Sequence, residues 1–98
     1  MYFVYMLRCQ DGSIYTGSAS DLDKRIALHF EGKGAKYTKS HPPKKLEAAF
    51  ECEYYGDALR LEYRIKRLSK SEKQRLIDGD KIETLIGDKV DSSLYNRL

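Results

Sequence analysis

The run Tyr2-Phe3-Val4-Tyr5-Met6-Leu7 leaves the chain little conformational choice. It is rich in aromatic and β-branched residues, which suit a pleated strand. Gln10-Asp11-Gly12-Ser13 then supplies turn chemistry, and Ile14-Tyr15-Thr16-Gly17 resumes the strand pattern. The segment reads as a β-hairpin. A turn fixes the register of its strands, so Tyr5 and Tyr15 are expected to come close.

Helical signals follow. Ser20 reads as an N-cap with Asp23 three residues on, an imperfect capping box. The helix is expected to run to about Glu31 and to stop at Gly32 and Gly34. Leu22, Ile26 and Phe30 form its buried stripe, with Arg25 and His29 along one edge. The next segment, Lys33 to Lys45, reads as a basic loop, and Pro42-Pro43 forbids helix near its end. Leu46 to Tyr54 reads as a third strand and Asp57 to Leu68 as a second helix. Ser69-Lys70-Ser71-Glu72 has the capping-box pattern and leads a short helix to about Ile77. Residues 79–98 have weak periodicity and are expected as a short helical turn or a partly disordered tail. The predicted fold class is α+β: a three-stranded, largely antiparallel sheet covered by helices, in the order β-β-α-β-α-α, with one domain over residues 1–78.

A chain of 98 residues with 41% hydrophobic and 34% charged composition builds one thin core. A functional site is therefore expected on a surface face rather than in a deep cavity. The formal net charge is only +3, but it is unevenly spread. Lys33, Lys36, Lys39, Lys44 and Lys45 fall between Gly32 and Leu46 without an acid, whereas the stretch after Ile77 is acid-rich. Such a basic segment suits a phosphate-rich partner, although a charge run is more often a solvated face. Tyr37 in the same segment is a candidate for stacking on a base; His41 reads as exposed. Tyr54, Tyr55 and Tyr63 read as packing residues. Cys9 and Cys52 have no metal-ligand spacing; one disulfide is open to them, but the plainer reading is two reduced, partly buried thiols. There is no signal-peptide pattern and no apolar run of about 18 residues, so no membrane association is expected and a cytoplasmic location follows by default.

Glu62 is the unusual charge of the second helix. It lies beside the apolar stripe of Ala58, Leu61, Ile65 and Leu68, with Leu59 on its other side. A carboxylate there is costly to bury without a partner. The candidates are a metal ion, Arg25, a tyrosine hydroxyl, or an ordinary i,i+4 pair with Lys66.

Two short strands carrying Tyr5 and Tyr15, Gly17 after the second, Arg25 and His29 on the next helix and Glu62 on a later one form an ordered set. Together with the segments Asp21–His29, Gly32–Thr38 and Ala58–Leu68, it resembles the GIY-YIG endonuclease superfamily, in particular its small stand-alone members, over about residues 2–77. The first tripeptide lacks its Gly and Ile, and the second has Thr16 for Ile. Ser18 stands where some members carry a lysine near the scissile phosphate, which leaves one cation fewer. Other members have Tyr at position 29.

The resemblance implies metal-dependent phosphodiester hydrolysis. Glu62 would hold one divalent cation, Mg²⁺ first and Mn²⁺ as the alternative. Arg25 would neutralise phosphoryl charge, Tyr5 and Tyr15 would orient or deprotonate the attacking water, and His29 would assist by hydrogen bonding or proton transfer. Gly17 would let the backbone pass close to the site. The implied substrate is nucleic acid, DNA ahead of RNA, cut in a structure-selective or weakly specific way, with targeting left to a protein partner or self-association. The competing reading is a non-cleaving nucleic-acid-binding module of the same fold, with a role in DNA repair or recombination. A protein-interaction domain using the acidic tail is a third reading. Free tyrosine, with a pKa of ~10, is phenolate in only about one molecule in a thousand at pH 7, so a tyrosine base needs help. His29, whose unperturbed pKa lies near 6.5, competes for that role.

Overall fold

The computed structural model describes residues 1–98. Its hairpin consists of β1 (Tyr2–Cys9) and β2 (Ile14–Ala19), paired antiparallel. The turn is closed by Cys9 N–H donating to Ser13 O at 2.8 Å and Gly12 N–H to Cys9 O at 2.9 Å. Asp11 holds the bend through its side chain, which accepts from both the backbone N–H and the hydroxyl of Ser13.

Helix α1 (Leu22–Phe30) is capped by Asp21 rather than Ser20, with the Asp21 carboxylate accepting from Lys24 N–H at 3.1 Å. Its fully buried residue is His29, while Phe30 is 52% exposed. The spacing explains this correction. Steps of four drift by about 40° each around a helix, whereas the three-residue step from Ile26 to His29 returns to the stripe. The buried line is therefore Leu22–Ile26–His29, and Phe30 lies beyond its margin.

The basic segment contains a further short helix, α2 (Lys36–Ser40), where a loop was expected. Strand β3 (Pro43–Cys52) begins three residues earlier than predicted. Cys9 and Pro43 pair across the sheet, because proline, which bars helix, is compatible with extended backbone. Helices α3 (Tyr55–Lys66), α4 (Lys70–Asp78) and α5 (Ile82–Ile86) follow. The Ser69/Glu72 capping box at α4 is complete, with bonds of 3.1 and 2.8 Å.

The sheet has four strands, not three. A two-residue strand, β4 (Asn96–Arg97), adds to the far side of β3, giving the antiparallel order β2-β1-β3-β4. With α2, α5 and β4 included, the element order is β-β-α-α-β-α-α-α-β. A strand this short has no alternation to read. It is fixed instead by the Arg97 guanidinium, which donates to Leu76 O at 2.6 Å and Ile77 O at 2.7 Å and lies over the Phe50 ring. Those carbonyls belong to the last turn of α4, where intrahelical donors run out.

Alternation along the strands divides the interior into two layers. Val4, Met6, Ala48 and Phe50 face α3, packing with Ala58, Leu61 and Ile65. Tyr5, Leu7, Ala19 and Ala49 face the other way, against Leu22 and Ile26 of α1. The C-terminal segment joins the first layer through Ile82, Ile86, Val90 and Tyr95. Tyr54, Tyr55 and Tyr63 are exposed rather than packed. Both cysteines are buried. No helix is long and apolar enough to cross a membrane.

The Tyr95 hydroxyl donates to Asp57 O at 2.6 Å and fastens the C-terminal segment to the first turn of α3. Tyr95→Phe is expected to cost about 1 kcal/mol, the net worth of one such bond, measured as a lower urea midpoint with an unchanged slope.

Candidate active site

The predicted catalytic residues gather around β2, an edge strand of the sheet. Tyr5 lies opposite Gly17, and Tyr15 is two residues from Gly17 on the same face. The tyrosines are diagonal cross-strand neighbours with ring centroids 6.3 Å apart. Gly17 is required by volume: a Cβ there would lie 2.5 Å from Tyr5 Oη, 2.7 Å from its Cζ and 3.0 Å from the Tyr15 ring. Its missing side chain is the space that Tyr5 occupies.

His29 sits behind the tyrosines, fully buried. The Tyr5 hydroxyl and His29 Nε2 are 2.6 Å apart, and His29 Nδ1 lies 2.8 Å from Thr38 Oγ1. Thr38 donates its own proton to Ala35 O at 3.2 Å. Thr38 must therefore accept from His29, which places the imidazole proton on Nδ1. Nε2 is then a lone-pair acceptor, and Tyr5 donates to it. Gly34 packs flat against the imidazole, and a Cβ at that position would collide with the ring. Burial, followed by the charge of Arg25, holds the His29 pKa below its usual 6.5. Burial, with Tyr15 adding to it, pushes the Tyr5 phenol far above its usual 10. Arg25 itself is exposed on α1.

Glu62 approaches the same edge from the α3 side. Its two oxygens are engaged separately: Ser18 Oγ donates to Oε1 at 2.7 Å, and Lys66 Nζ lies 2.8 Å from Oε2. The partners are thus a hydroxyl from β2 and the i,i+4 lysine, not Arg25 or a tyrosine. Lys66 also reaches to 6.0 Å from the Tyr15 ring centroid, which links the two faces of the edge. Glu62 and Ser18 offer only oxygen donors, the set a hard divalent cation prefers. No three metal-ligating side chains converge anywhere in the structure, so such a cation would draw most of its shell from water and substrate.

On the α1 side Tyr37 extends the aromatic array. It stacks on Tyr15 at 5.8 Å and on His41 at 4.0 Å, with the latter planes only 8° apart. His41 is therefore part of this array and not exposed decoration. Lys33, Lys36 and Lys39 are exposed on or beside α2, whereas Lys44 and Lys45 are exposed on β3, across β1 from this edge, and Lys45 is paired with Glu47 at 3.4 Å. Thr38 carries no assignment in the sequence, and Lys66 figures there only as the i,i+4 partner of Glu62, the contact the structure shows. Lys66 has a sequence signal in its i,i+4 spacing from Glu62. Thr38 has none, because its role exists only once α2 docks on α1.

The GIY-YIG catalytic domain family matches residues 1–75, and the chain belongs to the GIY-YIG family. Its relatives include UPF0213 protein FN1575 of Fusobacterium nucleatum, 51% identical over 78% of this chain and 76% of that protein. UPF0213 protein BH0048 of Halalkalibacterium halodurans is 45% identical over 78% of this chain and 81% of that one. The solution NMR structure of UPF0213 protein BH0048 from Bacillus halodurans aligns with a TM-score of 0.52 and 44% identity, covering 80% of this chain and 84% of that chain. Family membership supports a nuclease-type role.

Thr38→Val keeps the shape of the side chain but leaves His29 Nδ1–H buried without an acceptor. It is expected to cost about 1–3 kcal/mol, read from chemical denaturation.

Because folding lowers the His29 pKa, the unfolded chain binds more protons as pH falls below 6.5. The stability associated with neutral His29 is full above that pH and is lost as pH falls towards the folded-state pKa. Thermal melts from pH 8 to pH 5 are expected to show this decline, and His29→Asn is expected to flatten it.

Proposed function

We propose that this protein is a metal-dependent endonuclease that hydrolyses phosphodiester bonds in DNA, structure-selective or weakly specific. What carries this reading is the edge of β2, where Tyr15 stands between a buried Tyr5–His29–Thr38 relay and the Ser18–Glu62–Lys66 cluster. Strand tyrosines that only pack have no need of a buried imidazole bonded at both nitrogens.

The geometry favours a division of labour between the tyrosines. Tyr5 is buried and its hydroxyl is committed to His29. The Tyr15 hydroxyl has no partner in the protein and is not a buried atom. Tyr15 is therefore the group that meets the attacking water and accepts a hydrogen bond from it. Tyr5 and His29 hold the wall behind it, with Nε2 placed to take the Tyr5 proton if charge shifts along the pair. Arg25, exposed on the same side, forks onto phosphoryl oxygens and stays charged at any working pH. Lys66 supplies a second cation at an edge where Ser18 brings none. A divalent cation held by Glu62, Mg²⁺ or alternatively Mn²⁺, would supply an acidified water and neutralise developing charge. Beside this centre, exposed Lys33, Lys36 and Lys39 would hold the strand, with Lys44 and Lys45 on β3 reached only by a longer stretch of it, and Tyr37 would offer a face to a base.

Branched, nicked and linear DNA incubated with Mg²⁺ tests the assignment. The wild type is expected to cleave at least one of them. Tyr15→Phe is expected to slow cleavage by about 10²-fold or more, the scale of one general acid–base group. Glu62→Ala is expected to abolish cleavage while leaving binding in EDTA intact. Binding without cleavage by the wild type on every substrate would replace this reading with the non-cleaving module.

A further inference from the structure

The face of α3 turned away from the core carries a second set of cations with no part in the chemistry above. Arg60, Arg64 and Arg67 lie along one stripe of the helix, with Tyr63 beside it, and Lys89 reaches in from the turn after α5. Arg60, Tyr63, Arg64 and Lys89, with Leu59, line one shallow concavity of about 470 Å³. Arg64, Arg67 and Lys89 also line its neighbour of about 240 Å³. Tyr63 is 54% exposed, and the Arg64 and Arg67 guanidiniums lie 5.4 and 5.3 Å from its ring centroid.

Two bland explanations fall short. A solvated helix face normally mixes signs and pairs them. Here Arg60 is paired with Asp57 at 2.8 Å, but Arg64, Arg67 and Lys89 have no carboxylate partner. Glu72 lies at the rim, yet its carboxylate accepts from Ser69 N–H in the capping box. The helix dipole favours cations only in the last turn. That accounts for Arg64 and Arg67, but not for Arg60 in the middle of α3 or for Lys89, which lies outside it.

The position of the patch matters as much as its charge. Around the helix the order runs from Glu62 through Lys66 and Tyr63 to Arg67, Arg60 and Arg64. The cationic face is thus continuous with the α3 side of the candidate site. It lies on a different element from the basic lysines between Gly32 and Leu46.

We propose that this face is a second nucleic-acid contact, which grips the sugar-phosphate backbone of the strand as it leaves the candidate site along α3. Guanidiniums unpaired by carboxylates and steadied over an aromatic ring are prepared to bond phosphate. The proposal rests on nucleic acid being the substrate, but not on its being cut.

Binding of a fluorescein-labelled single-stranded oligonucleotide, followed by anisotropy in EDTA between about 50 and 200 mM salt, tests it without any cleavage. Relative to wild type, Arg64→Ala/Arg67→Ala/Lys89→Ala is expected to bind about 10- to 100-fold more weakly at the lower salt. Its slope of log K against log salt is expected to be shallower by about 2, the loss of three phosphate contacts at ~0.7 each. Arg64→Lys/Arg67→Lys, which keeps the charge but gives up the guanidinium fork, is expected to keep the wild-type salt slope and to bind with an affinity between wild type and the triple variant. The single variant Arg67→Glu, at an exposed position, gives the same direction if the triple variant does not fold. Equal affinity and slope in wild type, triple variant and Arg67→Glu would overturn the patch and leave the candidate site standing. Displacement of the oligonucleotide by poly-glutamate of equal charge at equal concentration would assign the face to an acidic protein and overturn it. A wild type with no salt-dependent binding to this oligonucleotide would overturn this proposal, and one that also fails to bind the branched, nicked and linear DNA would overturn the nuclease reading with it. Binding lost in the patch variants alongside a wild type that cuts nothing would uphold the patch and reject the nuclease.

Discussion

Much of the arrangement on the α1 side follows from burying one imidazole. A polar ring shut away from water is costly unless its nitrogens find partners. His29 meets this at both ends, with Tyr5 donating to Nε2 and Thr38 accepting from Nδ1. Each partner constrains its own neighbourhood. Thr38 must be brought in by α2, so the basic segment cannot remain an open loop. The backbone must pass the ring closely at Gly34, and Tyr5 must fill the space left at Gly17. The same network fixes the tautomer, since Thr38 spends its proton on Ala35 O. A buried network that is satisfied throughout holds one geometry, and a half-satisfied one would be worse than an apolar core.

The two faces of β2 therefore differ in kind. On the α1 side the groups are buried, neutral and bonded to one another. On the α3 side they are charged and partly in water, with Lys66 half-exposed. An edge strand lets side chains from both faces meet without crossing the sheet, as Lys66 does in approaching Tyr15. This also suits a thin domain, in which a deep pocket would empty the core. The exposed tyrosines follow the same logic, because surface aromatics beside cations are of more use to a polyanion than to the interior.

How much of this was legible in the sequence depended on how far apart the interacting residues are. The hairpin, the proximity of Tyr5 and Tyr15 and the Ser69 capping box were readable because each is set within a few residues. The stripe of α1 was read one position too far, at Phe30, because a spacing of four was followed where the helix needed three. Strand β4 and helix α2 were missed for a shared reason. Two and five residues carry no periodicity, and each is held by a distant side chain, Arg97 on the carbonyls of α4 and Thr38 on His29. The chemistry of Glu62 was visible as a misplaced charge. Its partner Ser18, 44 residues away, was visible only as a departure from the family pattern.

That departure bears on how the α3 side would work. An i,i+4 ion pair at a helix surface contributes only about 0.3–0.5 kcal/mol, and half-exposed Lys66 is further screened by solvent. The Lys66–Glu62 contact is thus an exchangeable occupant of the carboxylate rather than a brace for the fold. Ser18, in contrast, is fixed on a strand and keeps Oε1 oriented. A lysine on β2 would have been a permanent positive charge at this edge. A serine there with the lysine on α3 makes the charge movable. Were a divalent ion held by Glu62, Lys66 would remain beside Tyr15 as a cation for the phosphate, with the relay on the other face undisturbed.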